Sequence, residues 1–145
     1  MEKLIEAMKV YFATNFQYYV KAHGYHVNVT GPDFYEYHKL LEKVYDDAQD
    51  NIDRIAEEIR TLDAIVPFSL NRIMELSEVK DAEDTPAGLL MIKNILDDTE
   101  IVCETIRVAR QLAEDEKCFG LVNYLEGRLD DHYKFQWMLR STISK

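Results

Sequence analysis

The stretch that decides the fold is DFYEYHKLLEKVYDDAQDNIDRIAEEIRTL, from Asp33 to Leu62. Phe34, Tyr37, Leu41, Val44, Ala48, Ile52, Ile55, Ile59 and Leu62 step along it by three or four residues without a miss, which is the spacing of one apolar stripe on one helix. At a rise of 1.5 Å per residue that helix is ~45 Å long, and its stripe needs neighbouring helices of similar length to cover it.

Working outward, Gly31-Pro32 stands just upstream, and proline disfavours helix in the residue before it. A first helix carrying Leu4, Met8, Tyr11, Phe12, Phe16, Tyr19 and Val20 is therefore predicted to end before Gly31, with Asp33 capping the second. Downstream, Thr85-Pro86 reads as the cap and first residue of a third helix bearing Leu89, Ile92, Ile95, Leu96, Val102, Ile106, Ala109 and Ala113. A turn near Glu114 to Gly120 leads into a fourth, with Val122, Leu125, Leu129, His132, Tyr133, Gln136 and Leu139. The segment from Asp63 to Asp84 is too long for a hairpin turn, and Leu70, Ile73, Met74 and Ser77 predict a short helix within it, starting near Ser69. Met8, Met74, Met91 and Met138 fall at helical apolar positions and are expected to pack. The predicted class is all-α: a four-helix bundle of ferritin-like connectivity, with a long crossover containing a short helix between the second and third helices.

Composition narrows the function. The 145 residues are expected to form a single domain, 1–145, and 47% apolar against 30% charged is the balance of a soluble globular chain. Twenty-seven acidic and 17 basic side chains leave a net charge of −10. Such a surface repels phosphate backbones, and no basic tail is expected, so direct DNA binding is not expected either. No apolar run approaches the ~18 residues of a membrane span, and the N-terminus interleaves charge with apolar residues, unlike a signal peptide. Cys103 and Cys118 form no Cys-x-x-Cys pair and read as buried free thiols in a reducing compartment, so a cytoplasmic location is expected.

The chemistry centres on a polar line along the second helix: His38, Glu42, Gln49, Asp53 and Glu57. These residue types bind a divalent metal such as iron, although in a chain this acidic a line of carboxylates is also the ordinary form of a solvated face. His38 and Asp53 are fifteen residues apart, so on one helix ~22 Å separates them and they cannot share a metal. They could do so if a second copy packed antiparallel across a two-fold axis near Tyr45 and Asp46.

The segment KAHGYHVNVTGPDF from Lys21 to Phe34, followed by His38, Glu42, Asp53 and Glu57, resembles the signature of the Dps family of twelve-subunit mini-ferritins. The closing stretch HYKFQWMLR, from His132 to Arg140, resembles that family's last helix. The resemblance implies a dodecameric homo-oligomeric shell that oxidises ferrous iron, usually with hydrogen peroxide and otherwise with oxygen, at mono-iron or di-iron sites on the dimer interface. It also implies that the ferric product is stored inside and that oxidative damage is limited. His26 and His38 would be ligands from one subunit, Asp53 and Glu57 from its two-fold mate, and Glu42 would lie near a second iron position. Twelve chains at −10 would carry roughly −120 in total.

Departures from the family are specific. Val27 stands where relatives commonly have tryptophan after the first ligand histidine, and Tyr25, Tyr35, Tyr37 and Tyr45 are the nearby redox candidates. His23, three residues before His26, reads either as an orienting neighbour of the site or as a packed histidine, and His132 as a hydrogen-bonded core residue. An intrachain di-iron site normally carries Glu-x-x-His pairs, yet Leu129, Tyr35 and His23 precede His132, His38 and His26 at that spacing. A magnesium-dependent nucleotide hydrolase would leave His26 and His38 without a role. The remaining alternative is a non-catalytic acidic bundle, acting as a scaffold or as a shell without a working iron site.

Overall fold

The computed structural model describes all 145 residues as five helices. These are α1 (Glu2–Asn28), α2 (Phe34–Thr61), α3 (Leu70–Leu76), α4 (Gly88–Asp115) and α5 (Phe119–Ile143). The four long helices pair as two antiparallel hairpins, α1 with α2 and α4 with α5, and α1 packs on α4 to join them. α3 lies in the long crossover, where the spacing of Leu70, Ile73, Met74 and Ser77 predicts a short helix, and it packs on α1 with Ile73 buried. No helix is long and apolar enough to cross a membrane.

Local chemistry explains the hairpin that matters most. α1 closes where Val29 N–H donates to Tyr25 O at 2.9 Å, and Gly31 turns the chain at φ +111°, a backbone region that favours glycine. Phe34 N–H then donates to Gly31 O (3.1 Å) and Tyr37 N–H to Asp33 O (3.0 Å), starting α2. Asp33 is the N-cap residue, but its side chain makes no capping bond. α4 begins at Gly88 rather than at the predicted Thr85-Pro86. A Cβ on Gly88 would lie 2.9 Å from the Tyr37 ring and 3.1 Å from the Val29 side chain, so the helix starts where its backbone presses on the α1–α2 turn.

Leu4, Met8, Tyr11, Phe12, Leu41, Val44, Ile55, Ile59, Met91, Ile95, Ile106 and Leu139 are fully buried, and the predicted stripes meet in one core. The stripes are less complete at their margins. Val20, Phe34, Met74, Leu89 and Tyr133 are exposed, and Cys118 is only half-buried, because each lies at a helix end, on the outer flank of a stripe or in the crossover.

Polar groups inside the bundle are mostly paired, as burial requires. Tyr18 Oη and Thr99 Oγ1 are 2.6 Å apart, and Asn15 Nδ2 donates to Ala48 O at 2.9 Å. Lys21 of α1 pairs with Asp98 of α4 at 2.8 Å. The densest knot is Arg128, whose side chain is 4% exposed. Its guanidinium pairs with both Asp47 carboxylate oxygens, and donates to Asp131 (3.1 Å), Tyr11 Oη (3.4 Å) and His132 Nε2 (3.1 Å). Burial works against its charge, but Tyr11 and Asp47 more than offset that, so Arg128 stays ionised. His132 is held neutral, far below its ordinary range, by burial and then by the adjacent guanidinium. This knot ties α1, α2 and α5 together. Replacing Asp47 by alanine is expected to cost about 2–3 kcal/mol, less than the roughly 3–5 kcal/mol of a fully buried pair because Asp131 remains. A urea midpoint unchanged from wild type would show that Asp47 does not hold the guanidinium in place.

Candidate metal centre at the turn between the first two helices

His26 sits in the last turn of α1 and His38 in the second turn of α2, and the tight link between the helices brings twelve residues of sequence separation down to contact. Their rings stack with centroids 3.7 Å apart and planes 15° from parallel. Each also hydrogen-bonds the other's backbone: His26 Nδ1 lies 2.7 Å from His38 O, and His38 Nδ1 lies 2.8 Å from His26 O. A carbonyl oxygen only accepts, so both Nδ1 atoms must carry the proton. In the neutral rings both Nε2 atoms therefore keep a free lone pair, the form in which imidazole binds a metal. The turn fixes two donors in tautomer and orientation before any ion arrives.

Aromatic neighbours hold the pair. Phe34 stacks on His38 (centroids 4.9 Å, 24°), and Tyr45 meets His26 edge-on at 4.9 Å. Tyr45 in turn stacks almost flat on His23, 3.9 Å away and 3° from parallel. His23 Nδ1 is 2.9 Å from Tyr19 Oη, so the structure makes His23 a packed and hydrogen-bonded neighbour of the pair.

The carboxylates lie elsewhere. Asp53 and Glu57 are exposed, one turn apart in the second half of α2. Glu57's carboxyl is raised above its usual range because it shares a hydrogen bond with Asp53, and then because Asp53's charge lies beside it. Two neighbouring carboxylates that disfavour each other's charge form a place where a cation would be favoured. Glu42 is near the histidines in sequence but faces Lys39, whose Nζ is 3.6 Å from its carboxylate. Within one chain, no three His, Cys, Asp or Glu side chains come close enough to hold a metal ion. The structure thus brings together His26 and His38, brings together Asp53 and Glu57, and keeps the two pairs apart. Sequence reasoning missed the reciprocal backbone bonds and the Tyr19–His23 bond; only the four-residue spacing of Tyr19 and His23 on α1 signals the latter.

A family model described as a ferritin-like domain matches residues 5–145. The chain is 35% identical over 126 residues to an uncharacterized low temperature-induced protein of Nostoc, covering 86% of this chain and 70% of that protein. It is 29% identical over 128 residues to the DNA protection during starvation protein of Brevibacillus brevis, covering 86% of this chain and 84% of that one. Its fold is similar to the crystal structure of a Dps protein from Vibrio cholerae O1, described as a member of a broad superfamily of ferritin-like diiron-carboxylate proteins. The TM-score is 0.94 at 27% identity, over 99% of this chain and 90% of that one.

The hydrogen bonds make a direct spectroscopic prediction. In metal-free protein at a pH where both rings are neutral, two-bond ¹H–¹⁵N correlation spectra should show His26 and His38 in the Nδ1–H form. An Nε2–H proton on either ring would contradict the geometry.

Proposed function

The chain belongs to the ferritin-like family and is a Dps-like member of it, and from that membership we propose that it oxidises ferrous iron at sites shared by two subunits and stores the ferric product inside a hollow shell of its own copies. Residues 1–145 serve as one ferritin-like unit, twelve units form the shell, and the cytoplasm is its place of work. The benefit is protection from oxidative damage, since ferrous iron and peroxide are removed together.

The observation that carries this reading is the reciprocal lock on His26 and His38, which leaves an unprotonated Nε2 on each of two stacked rings. Two imidazoles alone do not complete a site for iron; carboxylates must join them. A two-fold axis near Tyr45 and Asp46 places the partner's Asp53 and the partner's Glu57 beside these histidines. Exposed apolar residues around the turn, Val20, Val27, Phe34 and Tyr35, are 41–64% exposed in one chain and favour cover by another copy. Glu42, between the histidines and the axis in the sequence of α2, would exchange its contact with Lys39 for a second ion where one binds.

Ferrous iron is the substrate, bound singly or in pairs. The neutral imidazoles bind it without adding charge, and the carboxylates stabilise the ferric product by offsetting its extra positive charge. Hydrogen peroxide, or oxygen as the slower oxidant, takes the electrons. The acidic chain gathers cations to the shell and gives DNA no electrostatic foothold.

Complementation tests the shared site. One variant carries His26→Ala and His38→Ala, another carries Asp53→Ala and Glu57→Ala, and each alone should assemble yet oxidise iron poorly. Co-refolded in equal amounts they should regain about a quarter of wild-type sites, because only one in four random pairings brings intact histidines to intact carboxylates. Initial rates no better than either parent, with mixing verified by mass, would refute it.

A further inference from the structure

Oxidising a tyrosine removes an electron and also the phenolic proton, since the protonated radical cation is a strong acid. The tyrosine that gives up an electron most readily is therefore one whose hydroxyl faces a base with a free lone pair. Most hydroxyls here face something else. Tyr11 meets the Arg128 guanidinium, Tyr18 meets Thr99, Tyr25 accepts from Asn94, and Tyr124 donates to the Asn51 amide oxygen. Tyr19 alone meets an imidazole, with its Oη 2.9 Å from His23 Nδ1. On the other side Gln49 Nε2 donates to Tyr19 Oη at 3.5 Å, which turns the phenolic proton toward His23.

The pair also stands beside the proposed iron ligands. Ring centroids are 5.4 Å apart from Tyr19 to His23 and 6.0 Å from His23 to His26, and Tyr45 clamps His23 in place by stacking on it. Tyr45 is closer to His26, at 4.9 Å, but its hydroxyl makes no hydrogen bond within the chain, and the charges near it are those of Asp46 and Glu42. The expected redox candidates did not include Tyr19, which periodicity assigns to the core stripe of α1.

We propose that Tyr19, through its hydrogen bond to His23, is an electron donor to the iron site and supplies the second electron to peroxide when only one ferrous ion is bound. The inference rests on the proposed iron oxidation. One ferrous ion loses one electron and becomes ferric, and Tyr19 loses a second and passes its proton to His23 Nδ1. The O–O bond of hydrogen peroxide breaks, and with these two electrons and two protons, one equivalent to that from Tyr19 and one from solvent, it yields two waters. No hydroxyl radical is released. A later ferrous ion returns an electron to the tyrosyl radical, which takes back a proton, and that ion becomes ferric. Val27 leaves no indole beside the ligand histidine to do this work.

Two experiments separate this from the iron reading. In metal-free protein, a photoexcited ruthenium polypyridyl complex with a sacrificial acceptor serves as a one-electron oxidant, and freeze-quench electron paramagnetic resonance reads the radical. The tyrosyl signal should be largely lost in both Tyr19→Phe and His23→Phe and retained in Tyr45→Phe. A signal unchanged in Tyr19→Phe, or lost in Tyr45→Phe alone, overturns the proposal whatever iron does. In the second experiment ferrous ion below one per site is mixed with hydrogen peroxide in the presence of a spin trap. Tyr19→Phe should lose the tyrosyl signal and release severalfold more hydroxyl-radical adduct than wild type; equal adduct overturns the donor role. Absence of any iron oxidation in wild type would instead sink the proposed function.

Discussion

A straight helix cannot fold two of its own ends onto one ion. α2 runs for 28 residues, and His38 and Asp53 are held ~22 Å apart by its rise, whatever their side chains do. Everything else in the proposed chemistry follows from that rigidity. The histidines come together because α1 ends and α2 begins within a five-residue link turned at Gly31, and the carboxylates come together because they are one helical turn apart. Neither pair is a complete iron site. Completion by symmetry makes the proposed activity a property of the assembly, so that folding, association and chemistry become linked.

The interior of the bundle is closed to the alternative. An intrachain di-iron protein carries its metal among inward-facing Glu and His residues, and here that space is taken by Arg128, paired with Asp47 and Asp131 and hydrogen-bonded to Tyr11 and His132. A guanidinium is a cation built into the chain, and it neutralises the carboxylate that faces the core. His132, the histidine nearest this interior, is neutral and has its Nε2 lone pair already engaged by Arg128. The structure thus uses this buried knot to fix α1, α2 and α5, and leaves Asp53 and Glu57 exposed on the outside of α2.

Periodicity made most of the architecture legible. The three-and-four spacing of Leu41, Val44, Ala48, Ile55 and Ile59 placed α2, Gly31-Pro32 placed the end of α1, and the excess length after Asp63 foretold α3. The start of α4 was misread because Thr-Pro is a good local helix start, whereas close contact between Gly88, Tyr37 and Val29 is a tertiary effect with no local signature. Val20, Phe34 and Met74 fit helical apolar positions yet are exposed in one chain, since a stripe's margin is set by its neighbours. The candidate ligands were legible unequally. His38, Asp53 and Glu57 stood out on one helix face, while His26 entered through family resemblance. The backbone bonds that lock both rings were invisible, because a carbonyl belongs to every residue and its direction is decided only when two helices meet.

The central claim is that His26 and His38 of one subunit share iron with carboxylates of another. Crystals soaked anaerobically with ferrous iron and measured on both sides of the iron absorption edge test it most directly. The account predicts an anomalous peak between the Nε2 atoms of His26 and His38 and the carboxylates of the partner's Asp53 and the partner's Glu57, repeated by the two-fold axis. A peak ligated by side chains of a single chain, or no peak at this interface while iron binds elsewhere, would contradict it.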